Sequence, residues 1–222
     1  MKPTPEEIHA GHSIYTPHIL ALYDFGVLML SNSFLWRCPT KRLLYHFNQN
    51  VTANHLDIGV GSGFFLDKCY FQSHHPRIGI MDLNPEAIKY TVARIGRYNP
   101  EQFIHNILEP VDFLCPKFDS ISLNYLLHCL PGSLTSKSII IDHVQSLANP
   151  RAICFGSTLL GDEVSLNWGG KHLMSFYNKK GIFSNRNDNA RNLEIELSKR
   201  LDMTSFEIVG SVALFSGRYL SK

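Results

Sequence analysis

His55-Leu56-Asp57-Ile58-Gly59-Val60-Gly61-Ser62-Gly63-Phe64-Phe65 is the stretch from which the rest of the chain is read. His55 to Ile58 reads as a short buried strand. Gly59, Gly61 and Gly63 follow at alternate positions, and Phe64 to Phe71 reads as the start of an amphipathic helix. Strand, glycine turn and helix together make a place for the polar part of a ligand. Glycines let the backbone turn sharply and come close to a bound molecule. The free amides at a helix start favour a carboxylate or a phosphate.

The spacing narrows the ligand. A dinucleotide fingerprint needs G-x-G-x-x-G, but here the third glycine arrives one residue early and Phe64 stands where glycine is required. No Gly-Lys-Ser/Thr follows, so this is not a Walker phosphate loop. Asp57 lies two residues before the first glycine. Its charge repels a diphosphate and attracts an ammonium or sulfonium. The ligand is then anionic at one end and cationic close by, as an amino acid is. The pattern D-x-G-x-G-x-G resembles the first motif of class I S-adenosylmethionine-dependent methyltransferases.

Length and composition set the bounds. The 222 residues, 44% of them hydrophobic, suffice for one ordinary domain with a real core. A net charge of +2, with both signs spread along the chain, argues against a nucleic-acid groove. The apolar run from Ile19 to Leu30 is broken by Asp24 and too short to span a bilayer. Met1 to Glu7 carries two prolines and two glutamates, unlike a secretory signal. Cys38, Cys69, Cys115, Cys129 and Cys154 are scattered and odd in number, which points to a reducing cytoplasm rather than to disulfides or zinc. No membrane span is expected, and a monomer or homodimer is.

The leading segment, residues 1–50, reads as a helical cap or lid. Tyr15 to Ser31 carries a wide apolar stripe after the start signal Thr16-Pro17, and Pro39 to Phe47 reads as a second helix. This front end resembles that of the menaquinone and ubiquinone methyltransferases, with Tyr23-Asp24, then Ser31, then Trp36-Arg37.

From residue 51 onward strands and helices alternate. Strands are expected at Arg77–Asp82, Gln102–His105, Phe118–Tyr125 and Arg151–Thr158, and a closing hairpin at Phe206–Ala213 and Leu214–Leu220, turning at Gly210 or Ser211. Helices are expected from Asn84-Pro85-Glu86 to about Tyr98, over Leu134–Leu147 and over Asn189–Leu201. Asn84 caps, Pro85 sits in the first turn, and Glu86 meets the positive end of the dipole. Such alternation means a parallel sheet covered on both faces, with ligands at the carboxyl ends of its strands. The methyltransferase resemblance implies a Rossmann-like doubly wound sheet of seven strands, in order 3-2-1-4-5-7-6 with the last strand antiparallel. The core spans 51–222, with an insertion at about 159–187.

Asp82 ends the second strand, where an acid accepts two hydrogen bonds from a ribose diol. The resemblance gives it the cofactor ribose, with Leu83 beside it, and gives Asn106-Ile107 the adenine, though the family more often has Asp at the position of Asn106. Asn106 keeps the acceptor oxygen. Phe118-Asp119 opens a segment that resembles the family's fourth motif, whose strand ends beneath the transferred methyl group; the resemblance sets Asn124 and Tyr125 near the methionine part, and small-molecule members often carry a histidine at the place of His128. The tetrapeptide Asn-Pro-Pro-Tyr, which marks methylation of planar amides and base amines, is absent. The implied cofactor-binding set is therefore Asp57, Gly59, Gly61, Gly63, Asp82, Leu83, Asn106, Ile107, Asn124 and Tyr125.

In methyl transfer the cofactor carries the reactivity, and the protein aligns the reactants and removes a proton where the acceptor needs it. Candidate bases are His128, Tyr23 and Tyr15, with His12 and His172 behind them. The acceptor is expected against Trp36 and Arg37 of the leading unit and against Trp168, His172 and Phe176 of the insertion, whose aromatics suit a flat or apolar molecule. No metal is expected. The reading is a methyltransferase using S-adenosyl-L-methionine on an O, N or activated C of a small metabolite. The rivals are an RNA or protein methyltransferase and a non-methylating relative that keeps the cofactor pocket.

Overall fold

The computed structural model describes residues 31–220. Almost all of the expected helix from Tyr15 to Ser31 lies outside the described residues, and so do Tyr15, Tyr23 and His12. Seven strands form one sheet: β1 (Asn54–Ile58), β2 (Arg77–Asp82), β3 (Glu101–Ile104), β4 (Phe118–Asn124), β5 (Ala148–Leu159), β6 (Leu201–Val209) and β7 (Val212–Tyr219). Their order is β3-β2-β1-β4-β5-β7-β6. The first five strands are parallel, and β7 enters antiparallel to β5.

Helices cover both faces. On one side α1 (Thr40–Asn50), α2 (Phe64–Lys68) and α3 (Pro85–Ile95) bury Phe47, Leu66, Ile88 and Ile95 against Ile78, Ile80 and Phe155. On the other, α4 (Leu134–Lys137), α5 (Ile139–Val144) and α7 (Ala190–Ser198) bury Leu134, Ile141, Leu193 and Leu197 against β4 and β5. Apolar burial on both faces leaves the strand ends as the place where a ligand can reach the sheet.

Several boundaries differ from the expected ones. The helix expected over Leu134–Leu147 is broken at Ser138 into α4, α5 and a final 3-10 turn, Gln145–Leu147. Ser136, Ser138 and the Ile139-Ile140-Ile141 run are all weak helix formers, and Lys137 turns inward to bond the Ser184 carbonyl at 2.7 Å. Leu201, expected to end α7, opens β6, an edge strand whose mostly exposed side chains hide its period from a hydrophobicity reading. β6 and β7 meet at Gly210-Ser211, with Gly210 at φ +61°. The insertion holds a regular helix, α6 (Trp168–Lys179), capped by Asn167, whose side chain accepts from Gly170 N–H at 2.7 Å. Cβ atoms added at Gly169 and Gly170 would each lie 3.0 Å from Leu35. These glycines therefore seat α6 against the segment before Cys38, where Asn167 also donates to the Phe34 carbonyl.

Candidate functional site

The carboxyl ends of β1, β2 and β4 converge on one cavity. Its empty volume, counting the open mouth, is about 1120 Å³. Asp57, Gly59, Gly61, Asp82, Leu83, Asn106, Ile107, Asn124 and Tyr125 all line it. Gly63 does not, and it serves the turn from behind: it has φ +69°, and an added Cβ would come within 2.8 Å of Thr91. Gly61 is the opposite case. At φ +52° it lies in the cavity wall, and a Cβ there meets no atom of the described residues within 4 Å. Its missing side chain leaves room for a ligand.

Asp57 is buried, and its carboxylate accepts the Ser122 hydroxyl. Burial pushes its pKa up to about 7, the nearby Asp82 charge adds to the rise, and the serine hydrogen bond opposes it. Asp82 closes β2 half-buried. The Asn84 amide donates to its Oδ1 at 2.9 Å. Burial raises its pKa to about 6, against the lowering effect of the Asn84, Gly61, Leu83 and Val60 amides. Two carboxyl groups at one end of one cavity, both resisting ionisation, suit a ligand that brings a cation to one and a diol to the other.

Asn106 sits at the cavity in an Asx turn. Its side-chain oxygen accepts from Leu108 N–H at 3.2 Å, and its amide donates to Glu109 at 3.1 Å. Ile107 supplies a buried apolar wall beside it. Asn124 ends β4, with its oxygen taking the Ser157 hydroxyl at 3.1 Å and its buried Nδ2 without a partner among the described residues. Tyr125 follows at φ +52°, a left-handed conformation that a non-glycine residue seldom holds outside a constrained site. Its hydroxyl donates to Asn32 at 2.9 Å, and the buried Asn32 amide donates to Thr40 at 3.2 Å. The segment before α1 is thereby tied to the cavity's edge.

Other expected site residues are not brought to the cavity. His128 is 2% exposed, wedged edge-on between Tyr125 and Phe183. Its Nδ1 accepts from Leu159 N–H at 3.3 Å, and burial, with Lys137 nearby, drives its pKa down to about 3. Burial in this surrounding favours the neutral imidazole. Trp36 is 2% exposed and packs with Leu43, Met174 and Leu214 in a third apolar cluster, while Arg37 is exposed on the surface at φ +54°. Trp168, His172 and Phe176 line up on the outer face of α6, with Trp168 76% exposed and its ring 4.3 Å from that of His172. No residue of 159–187 lines the cavity. The aromatic content of the insertion suggested a ligand wall, but the α6 glycines turn that face outward.

The sequence reading missed two groups of residues. One is the apolar wall from the segment after β4: Leu126, Cys129, Leu130 and Pro131. The other is a pair of serines, Ser120 and Ser122, paired in register with His55 and Asp57 on the neighbouring strand. Their signal is a period of two: His55 and Asp57 on β1, Ser120, Ser122 and Asn124 on β4, polar residues on one face of otherwise apolar strands.

The cradle at Gly61 and the two carboxyl groups fit a nucleoside amino acid. No protein-family model matches the chain. The chain is 36% identical over 216 residues to the physcion biosynthesis cluster O-methyltransferase of Aspergillus chevalieri, covering 96% of each protein. It is 33% identical over 208 residues to demethylluteothin O-methyltransferase of Streptomyces thioluteus, covering 92% of this chain and 90% of that one. In fold it is similar to the DhpI–SAH complex, with a TM-score of 0.68 and 14% identity over 99% of this chain and all of the other. By the extent of these identities, and by the sheet order that accompanies them, the chain belongs to the class I S-adenosylmethionine-dependent methyltransferases that act on small molecules.

Proposed function

We propose that this enzyme methylates an oxygen of a small, flat, largely apolar metabolite in a biosynthetic pathway. The observation that carries the choice of oxygen is the side chain of Asn124. Asn124 lines the cavity; its carbonyl oxygen takes the Ser157 hydroxyl, and its buried Nδ2 has no partner among the described residues, so an N–H is the donor this side chain has left for an acceptor. An oxygen nucleophile accepts that hydrogen bond with one lone pair and attacks with another. A neutral amine has one lone pair, and attack uses it. The two curated relatives described above are named as O-methyltransferases, which agrees.

The cofactor supplies an electrophilic methyl group on a sulfonium; the chain's own residues bind and align. In this reading Asp57 and the glycine turn hold the amino acid end, Asp82 holds the ribose diol, and Asn106 with Ile107 holds the adenine. Residues 1–50 act as a cap over the acceptor end, supported by the Tyr125–Asn32–Thr40 chain of hydrogen bonds. Tyr23 and Tyr15 of that cap are the candidates for taking the acceptor's proton. Among the described residues no helix is long and apolar enough to cross a membrane. All five cysteines are unpaired, which supports placement in the reducing cytoplasm, and we read the enzyme as a monomer or homodimer.

The test is turnover of S-adenosylmethionine to S-adenosylhomocysteine with phenols and naphthols against the matching aryl amines. Phenols are expected to turn over at least about tenfold faster, a difference of roughly 1.4 kcal/mol in barrier. Equal or faster amine methylation overturns the oxygen assignment. Tight cofactor binding with no turnover on any acceptor favours the non-methylating reading.

A further inference from the structure

Beneath the cavity, five polar side chains form a continuous hydrogen-bonded chain between β1 and β4. Asp57 accepts from Ser122 Oγ; Ser122 Oγ lies 3.1 Å from His55 Nε2; His55 Nδ1 lies 2.8 Å from Ser120 Oγ; Ser120 Oγ lies 2.9 Å from Thr52 Oγ1; and Thr52 Oγ1 donates to the Asn54 carbonyl at 3.0 Å. His55, Ser120 and Ser122 are fully buried, with the His55 ring packed against Phe47 and Phe155. Nothing in the cofactor reading requires a polar track running back from Asp57 through an apolar sheet, and a hydrophobic pair at His55 and Ser122 would pack there at less cost.

The chain is satisfied in either direction. With Asp57 ionised, Ser122 donates to Asp57, His55 Nε2–H donates to Ser122, and Ser120 donates to His55 Nδ1. With Asp57 protonated, its O–H donates to Ser122, Ser122 donates to His55 Nε2, His55 Nδ1–H donates to Ser120, and Ser120 donates to Thr52. Every link lies at hydrogen-bond distance in both cases, and His55 stays neutral, changing only its tautomer. Five exchangeable hydrogens occupy the five side chains in the second arrangement and four in the first. One O–H bond breaks, its proton goes to solvent, and the electron pair stays on Asp57.

We infer that Ser122 and His55 are positioning residues that let Asp57 hold a proton while the site is empty and surrender it when the cofactor's ammonium arrives. The inference rests on the reading above that Asp57 faces that ammonium. The charged and titratable groups around Asp57 are consistent with it. Asp82 at the end of β2 and the Cys69 thiol after α2 are its electrostatic neighbours, and both disfavour its charge or are disfavoured by it. Among the described residues no Lys, Arg or His forms an ion pair with Asp57. An uncompensated buried carboxylate is costly, so the empty site keeps the proton and a bound cation displaces it.

The test is a proton count. The full-length protein is titrated calorimetrically at about pH 6.5 with S-adenosylhomocysteine, in two buffers of different ionisation enthalpy; the ligand's own amino group is protonated there. Release of most of one proton per ligand is expected. With 5′-methylthioadenosine, which keeps the ribose and adenine but has no ammonium, that release should vanish, which separates Asp57 from Asp82. Asp57→Asn should abolish release with S-adenosylhomocysteine while leaving methylthioadenosine affinity intact. Ser122→Ala should weaken S-adenosylhomocysteine about tenfold, a charged hydrogen bond's share, with a much smaller effect on methylthioadenosine, and Ser122→Thr should restore it. Tight S-adenosylhomocysteine binding with no proton released, or equal release with both ligands, overturns the inference. So does equal affinity of Ser122→Ala and wild type. If S-adenosylhomocysteine does not bind at all, the cofactor reading itself falls.

Discussion

Asp57 and Ser122 stand opposite one another on adjacent parallel strands, and the serine hydroxyl donates to the carboxylate below the cofactor cavity. Among the described residues that single contact gives a buried acid one hydrogen bond and no cation. The stability of the empty protein must therefore depend on pH through this residue. The folded pKa, about 7, lies above the unfolded value of 3.8. A raised pKa means stability that is fully present below the unfolded value, falls as pH rises and is lost by the folded value. Asp57→Asn removes this dependence. Thermal melts of the ligand-free proteins should show the variant gaining on wild type from pH 5 to pH 8. A constant difference between them across that range would contradict the burial argument.

Gly61 and Gly63 should fail in different ways. At Gly61 an alanine meets no atom but enters the ligand's space in a left-handed conformation. Gly61→Ala is expected to cost about 1–2 kcal/mol of stability and to weaken S-adenosylhomocysteine by more than that conformation alone explains. At Gly63 the same change strikes Thr91, so the melting temperature should drop further while the affinity of the folded fraction is largely kept. Calorimetric binding and thermal melts on both variants check the contrast.

Asp82→Ala removes the acceptor for the ribose diol. Charged hydrogen bonds contribute about 1.5–3 kcal/mol each, so the affinity for S-adenosylhomocysteine should fall by tenfold or more. The loss should be shared by 5′-methylthioadenosine, whose ribose is the same. Retained affinity for both ligands would remove Asp82 from the site.

His128 offers a sharper contrast with expectation. Its Nδ1 is engaged by the Leu159 amide and its ring is buried behind Tyr125. His128→Gln should lower stability while turnover per folded molecule changes by less than about tenfold, well short of the loss when a general base is removed. A collapse of turnover with unchanged melting temperature would restore it as a base.

The exposed aromatic face of α6 should be silent in the reaction. Trp168→Ser and Phe176→Ser are surface changes away from the cavity, expected within about 0.5 kcal/mol in stability. Neither should move the KM for any acceptor.

The first strand, the glycine turn and the acid closing the second strand are legible in the residues alone, because each is a local necessity. A left-handed turn needs glycine, and alternation of buried strands with capped helices admits few sheets. Nine of the ten residues assigned to the cofactor lie on one cavity wall, since strand ends and turns carry their signal within a few residues. The direction each remaining side chain faces comes instead from long-range packing. Trp36, His128 and the α6 aromatics read as site residues from their chemistry, yet their exposure is set by contacts far along the chain: Leu35 against Gly169 and Gly170, Leu159 against His128. Ser120 and Ser122 read as nothing in an apolar strand. They acquire a role only because register sets them beside His55 and Asp57, some 65 residues earlier in the sequence. Pairing between distant strands is fixed by the packing of the whole sheet, and no local pattern encodes it.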